Sequence, residues 1–203
     1  MIRRVLFASF ISLVTTVALL PAQMDDLYKR RPNAQSRWVS FENLRGAKGE
    51  GGKENRGGKG HAFDSLKAGE TKVLMSLQGS GAIHRLWFTL RERDPKMMRA
   101  LRLEMFWDNA DSPAISVPFG DFFGAILGRP VAFENELFSN PEGRSFNCYI
   151  PMPFRKAAKI TLTNESNRDV LKLFYDIDVV MTDRPDPDAF TSMLDGAASA
   201  GPR

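Results

Sequence analysis

Cysteine is almost absent from this 203-residue chain: Cys148 stands alone, so no intramolecular disulfide can staple the fold. Next to Tyr149 and Ile150 it reads as a small buried apolar side chain rather than a reactive thiol. Histidine is nearly as scarce. His61 and His84 lie far apart and share no ligand spacing with Cys148, so the sequence presents no metal site and calls for no cofactor. Charge of one sign is also lacking. The formal net charge is +4, and removing Arg3 and Arg4 takes it to +2, which gives no case for a nucleic-acid partner. Long hydrophobic runs are missing as well. The longest, from Val5 to Leu20, is short for a membrane span and is broken by Ser9, Ser12, Thr15 and Thr16. No Gly-x-Ser-x-Gly elbow occurs, no internal repeat is visible, and the glycines match neither phosphate-cradling pattern.

What is there begins with a leader. Met1-Ile2-Arg3-Arg4, the apolar run and Pro21-Ala22-Gln23 have the pattern of a secretory signal peptide over residues 1–23, cleaved after Ala22 or Gln23. An uncleaved anchor is the rival reading. The leader predicts a secreted or periplasmic protein with no membrane partner after cleavage. Residues 24–182 have the length of a single domain with one sizeable core. Residues 183–203 carry three prolines, the last in the final Gly-Pro-Arg, among small residues with no apolar period, and read as a disordered tail or linker.

Within the domain, short alternating segments recur between turn signals. Thr71 to Leu77, Leu101 to Asp108, Ala157 to Thr163 and Val170 to Met181 each place apolar residues at every second position. Ala82 to Leu90 shows two apolar faces, which predicts a strand buried on both sides. Gly46 to Gly60 holds seven glycines among charged residues and must be loop. Pro113 and Pro118 bracket one short strand, and Pro151 ends another. Short strands, regular turns and long connections predict an all-β jelly-roll β-sandwich with short helical turns.

A glycosidase needs two carboxylates facing each other across the sugar. Glu104, Asp176 and Asp178 alternate outward and read as solvated. Asp121, between Gly120 and Phe122-Phe123, is placed to bind backbone amides of its own turn, a role favoured over substrate contact. Trp107 shares a phase with aliphatic neighbours and reads as core. Trp87 is the better aromatic for a sugar ring, and the glycine loop could cover such a site. The candidate substrate-binding residues are Trp87, Asp121, Phe122, Glu42 and Asn43; no catalytic residue is assigned.

Several motifs occur in a fixed order: Phe41-Glu42-Asn43-Leu44-Arg45-Gly46, Gly58-Lys59-Gly60-His61-Ala62, Gly79-Ser80-Gly81-Ala82-Ile83-His84-Arg85-Leu86-Trp87, Val117-Pro118-Phe119-Gly120-Asp121-Phe122-Phe123-Gly124, Asn147-Cys148-Tyr149-Ile150-Pro151-Met152-Pro153-Phe154 and Phe174-Tyr175-Asp176-Ile177-Asp178. From Ser36 to Met181 the chain resembles glycoside hydrolase family 172. The resemblance implies a jelly roll and, in the family, retaining glycosidases acting on furanosides such as fructofuranose dianhydrides and D-arabinofuranosides. Family chains carry two jelly rolls in tandem and form oligomers with active sites near subunit contacts. Their catalytic glutamates sit in the second jelly roll, in segments resembling Gly-Glu-Gly-Asp-Asp and Gly-Thr-Glu-Asp-Tyr. Neither segment occurs here.

The resemblance therefore implies an N-terminal, non-catalytic half, inactive alone. It would pair with a second jelly roll or form a homo-oligomer, and bind a furanoside or fructan-like carbohydrate. The alternatives are an active glycosidase that uses Asp121 with Glu134 or Glu42, and a structural or glycan-binding β-sandwich. Apolar surface left without its second half is expected to drive self-association.

Overall fold

Residues that alternate in the sequence form strands wherever one face can be buried. The computed structural model describes residues 33–58, 60–125 and 128–182. The expected leader (1–23) and tail (183–203) lie outside the described residues. In chain order the elements are β1 (Ala34–Val39), β2 (Asp64–Leu66), β3 (Thr71–Gln78), β4 (Ser80–Leu90), α1 (Pro95–Ala100), β5 (Leu101–Trp107), β6 (Ile115–Pro118), α2 (Phe119–Phe122), β7 (Phe133–Glu134), β8 (Phe138–Asn140), β9 (Phe146–Cys148), β10 (Met152–Phe154), β11 (Ala157–Asn164) and β12 (Val170–Thr182).

Two antiparallel sheets result. The large sheet has eight strands, in the order β1-β12-β4-β9-β8-β7, with β2 also on β12 and β10 also on β4. The small sheet runs β3-β11-β5-β6. The chain crosses between sheets after β2, β3, β4, β6, β10 and β11, so sequence neighbours such as β3 and β4 are separated by the core. This is an all-β sandwich with only short helices, as expected.

The inner faces meet in a core rich in aromatic rings. Phe88 packs edge-on to Phe119 at 5.4 Å between centroids, Phe119 to Phe146 at 5.3 Å, and Phe88 stacks with Tyr175 at 5.8 Å. Tyr175 of the large sheet donates its hydroxyl to the Leu74 carbonyl of the small sheet at 2.6 Å, and burial raises its pKa. Cys148 is fully buried, with its thiol pushed up to about 11 by burial, in accord with the inert reading. Trp107 is only half-buried at the rim of this core.

Two strands depart from simple alternation. The pairing of β12 with β4 runs Asp178 to Arg85 and then Val179 to Ile83, so His84 is an extra residue in a bulge. The bulge lets Ile83 and Leu86 both point inward although they differ in phase. The expectation that this strand is buried on both sides is thus corrected: Arg85, Trp87 and Thr89 form an outer, half-buried face. A second slip, between Val170 and Leu173, buries Val170 and leaves Leu171 exposed, out of the phase expected for it.

The helices close one end. The Asp94 side chain accepts the Met97 amide at 3.2 Å, and Pro95 starts α1. α2 lies so close to α1 that a Cβ on Gly120 would stand 3.0 Å from Met98 Cβ. Only glycine permits that approach.

Candidate functional site

The outer face of the large sheet brings polar and aromatic residues into register. Between the buried Tyr175, Ile177 and Val179, β12 turns Asp176 and Asp178 outward. Asp178 is flanked by Trp38 of β1 and Arg85 of β4. Asp176 lies opposite Trp87, Trp87 opposite Asn147 of β9, and Asn147 opposite Ser139 of β8. Two adjacent rows therefore cross the sheet: Trp38–Asp178–Arg85 and Asp176–Trp87–Asn147–Ser139.

Short hydrogen bonds fix these side chains. Arg85 Nε donates to Asp178 Oδ2 at 2.8 Å, and both side chains are partly exposed. Trp87 Nε1 donates to Ser145 Oγ at 2.8 Å, which holds the indole edge. Asn147 Nδ2 donates to the Ser145 carbonyl at 3.1 Å, and Ser139 shares a 3.2 Å hydrogen bond with the Tyr149 hydroxyl. Phe63 and Phe174 add a ring pair at 5.1 Å on the same strand system. Beside Trp38 and Asp178 opens a depression of about 330 Å³, also lined by Ser36, Arg37, His84 and Val180.

The five candidates from the sequence do not converge. Trp87 alone lies in the middle of this face. Glu42 is a clasp for the glycine-rich loop: Oε2 accepts the Gly52 amide at 3.1 Å and Oε1 the His61 amide at 2.8 Å. Asn43 is buried and fully engaged inside the same loop. Its Nδ2 donates to the Trp38 and Ala47 carbonyls, and its Oδ1 accepts the Ala47 amide at 2.9 Å. Asp121 pairs with Arg99, joining α2 to α1. The Arg99 guanidinium thus stands where backbone amides of its own turn were expected. Phe122 packs edge-on against Phe123 and Phe138 at the margin of the core.

Sequence reasoning missed Trp38, Asp178 and Arg85 as one unit. Asp178 alone reads as an outward position in the sequence; Arg85 falls on a strand expected to be buried on both sides. Their convergence depends on the register of three strands distant in sequence and on the bulge at His84.

Four of the described carboxylates are held below the ordinary range. The Lys72 ammonium lowers Asp64, the Lys67 amide lowers Glu70, and the Arg168 guanidinium lowers Asp94. At Asp108, burial pushes the carboxyl up, but the amides of Lys156, Arg155 and Ala157 together outweigh it and hold it low. Among the described residues no group of three or more His, Cys, Asp or Glu side chains could hold a metal ion. No helix among them is long and apolar enough to cross a membrane.

The GH172 domain-like family model matches residues 61–176, from the end of the glycine loop through most of β12. The chain belongs to the GH172 domain-like family. No curated protein matches it. Among solved structures, the complex of an Aeromonas sobria serine protease with its chaperone ORF2 aligns at 11% identity with a TM-score of 0.30, covering 77% of this chain and 28% of that one. So weak a likeness carries no argument. The GH172 match runs from before β2 into β12 and thus contains the Arg85, Trp87, Asp176 and Asn147 positions of the outer face; Asp178 lies just beyond its end, and Trp38, on β1, lies well before its start.

Proposed function

We propose that this GH172 domain-like chain is the non-catalytic, carbohydrate-associated half of a retaining furanosidase-like glycoside hydrolase, inactive alone. The observation that carries this reading is the employment of its carboxylates. Glu42 clasps a loop, Asp108 caps three amides, Asp121 joins two helices and Asp178 is paired with Arg85. A retaining mechanism needs one carboxyl kept protonated to near neutral pH and a second about 5 Å away as nucleophile. Asp64, Glu70, Asp94 and Asp108 are held low instead, the wrong direction for a general acid.

Export and a second protein surface belong to the same proposal. The leader pattern of residues 1–23 supports export, and the mass of the product recovered outside the cytoplasm tests it. Val131, Leu137 and Tyr149 are exposed at 57%, 50% and 39%. The Tyr149 amide donates to the Leu137 carbonyl at 2.8 Å, which extends the β8–β9 pairing. This apolar margin suits a second jelly roll or a second copy of the chain.

The decisive assay uses p-nitrophenyl α- and β-furanosides with the purified chain. We expect no turnover above buffer. Turnover that disappears in Asp121→Asn or Asp178→Asn would overturn the non-catalytic reading.

A further inference from the structure

We propose that the depression beside Trp38 is a saccharide subsite that seats one neutral sugar ring, with the indole as its platform and Asp178 as its hydrogen-bond acceptor. The inference deepens the carbohydrate-associated reading above and rests on it. A sugar ring presents an apolar face of C–H groups and a rim of hydroxyls, and the depression has a counterpart for each. Trp38 supplies a broad flat apolar surface. Asp178 supplies a carboxylate that can accept from two adjacent hydroxyls, and Arg85 Nε holds it in place at 2.8 Å. The rest of the lining is more apolar than polar, with Ser36 and His84 as polar positions beside Asp178.

Other ligand classes fit less well. A wholly apolar ligand would strip water from the Asp178 carboxylate and return no hydrogen bond. A simple anion would meet the Asp178 charge at short range. The volume of about 330 Å³ lies at the small end of ligand sites, which suits one ring rather than a buried chain. Further sugar units have somewhere to go. Trp87 and Tyr149, each fixed at its polar tip, continue across the same face.

The indole is also braced from behind. The glycine loop packs on it so closely that a Cβ on Gly51 would stand 3.2 Å from Trp38 Cε3. Glu42 holds that loop through the Gly52 and His61 amides. Glu42 and Gly51 are thus positioning residues for Trp38 and need not touch the ligand.

The test is calorimetric and fluorescence titration of the whole chain with three neutral probes: a fructo-oligosaccharide, an arabinofuranosyl oligosaccharide and a malto-oligosaccharide. At least one is expected to bind and to quench tryptophan emission. Trp38→Ala should weaken that binding about tenfold or more, and Asp178→Asn by several-fold. Trp38→Phe should retain most of it, while Thr71→Ala on the opposite sheet should change nothing. Thermal melts establish that each variant is folded. No binding by any probe, or equal binding by folded Trp38→Ala, overturns the subsite and leaves the non-catalytic reading intact. Self-association that Trp38→Ala abolishes, with no sugar bound, assigns the surface to a second copy and also overturns it. Hydrolysis of a bound probe overturns the non-catalytic reading and leaves the subsite standing.

Discussion

The two sheets of the sandwich turn very different faces to the outside. On the small sheet the outward residues are those of an ordinary solvated surface. Arg102 pairs with Glu165, the Ser116 hydroxyl donates to Glu104, and Lys159 Nζ caps the Phe106 ring at 4.0 Å. Each contact is local, exposed and of the kind that contributes little to stability. On the large sheet tryptophans, a tyrosine and carboxylates face outward, and Trp87, Tyr149 and Asp178 are each tied to a residue of a neighbouring segment. Volume does not separate the faces, since the small sheet also carries a depression of about 310 Å³ lined by Ser76, Gln78, Phe106 and Lys159. What separates them is that the large sheet holds tryptophan rings and hydrogen-bonding groups at fixed spacing, as a recognition surface does.

The largest effect should come from what both faces share. Phe88→Ala opens a cavity beneath Trp87 and among Phe119, Phe123 and Tyr175. It should cost about 3–5 kcal/mol in urea unfolding. A loss under about 1 kcal/mol would mean that the sheets are not packed through this ring.

Asp108 sharpens the contrast from the small-sheet side. One carboxylate oxygen accepts the Arg155 and Lys156 amides at 2.8 and 2.7 Å, with Ala157 at 3.4 Å. Asp108→Ala should cost about 1 kcal/mol, a modest figure because the site is exposed. The folded pKa lies below the unfolded value, so the stabilisation is present above about pH 4 and is lost as pH falls through the folded pKa. Acid titration of stability should therefore separate wild type from the variant at neutral pH and bring them together at low pH. A gap that widens in acid would reverse that sign.

Thr161 tests whether the small-sheet face has any polar purpose. Its hydroxyl is buried on the central strand without a hydrogen-bond partner, between Val73 and Glu104. Thr161→Val should raise the denaturation midpoint by about 1 kcal/mol equivalent, with sugar binding unchanged. The corresponding change on the large-sheet face, Ser145→Ala, removes the partner of Trp87. It should leave stability within about 1 kcal/mol while lowering affinity for an oligosaccharide more than for a monosaccharide. The smallest effect on folding belongs to Leu137→Asp, within about 0.5 kcal/mol. It should still shift sedimentation toward monomer if the Leu137–Tyr149 margin at the end of the β8–β9 pair is an association surface.

Much of this architecture could be read in the sequence, and the reason is physical. Period-two alternation needs only one strand to be recognised, so β3, β5, β11 and most of β12 were plain. Cys148 announced a core position. The outer face was legible only residue by residue. Asp176 and Asp178 looked like solvated carboxylates because nothing local places Trp38 on one side of Asp178 and Arg85 on the other. Glu42 looked like a possible sugar contact because its true partners, the Gly52 and His61 amides, lie 10 and 19 residues away. Side chains serving a loop and side chains serving a ligand have the same composition, and only geometry separates them.

The bulge at His84 carries one more consequence. A strand with a residue to spare is tolerant of change at that point. Most substitutions at His84 leave the pairing of β4 with β12 in place. Deleting it would set Ile83 and Arg85 side by side opposite Val179 and Asp178, which are themselves adjacent, so the ladder would close with each side chain on the face it already has. A codon lost further along β4, where there is no slack, would instead turn one end of the strand over.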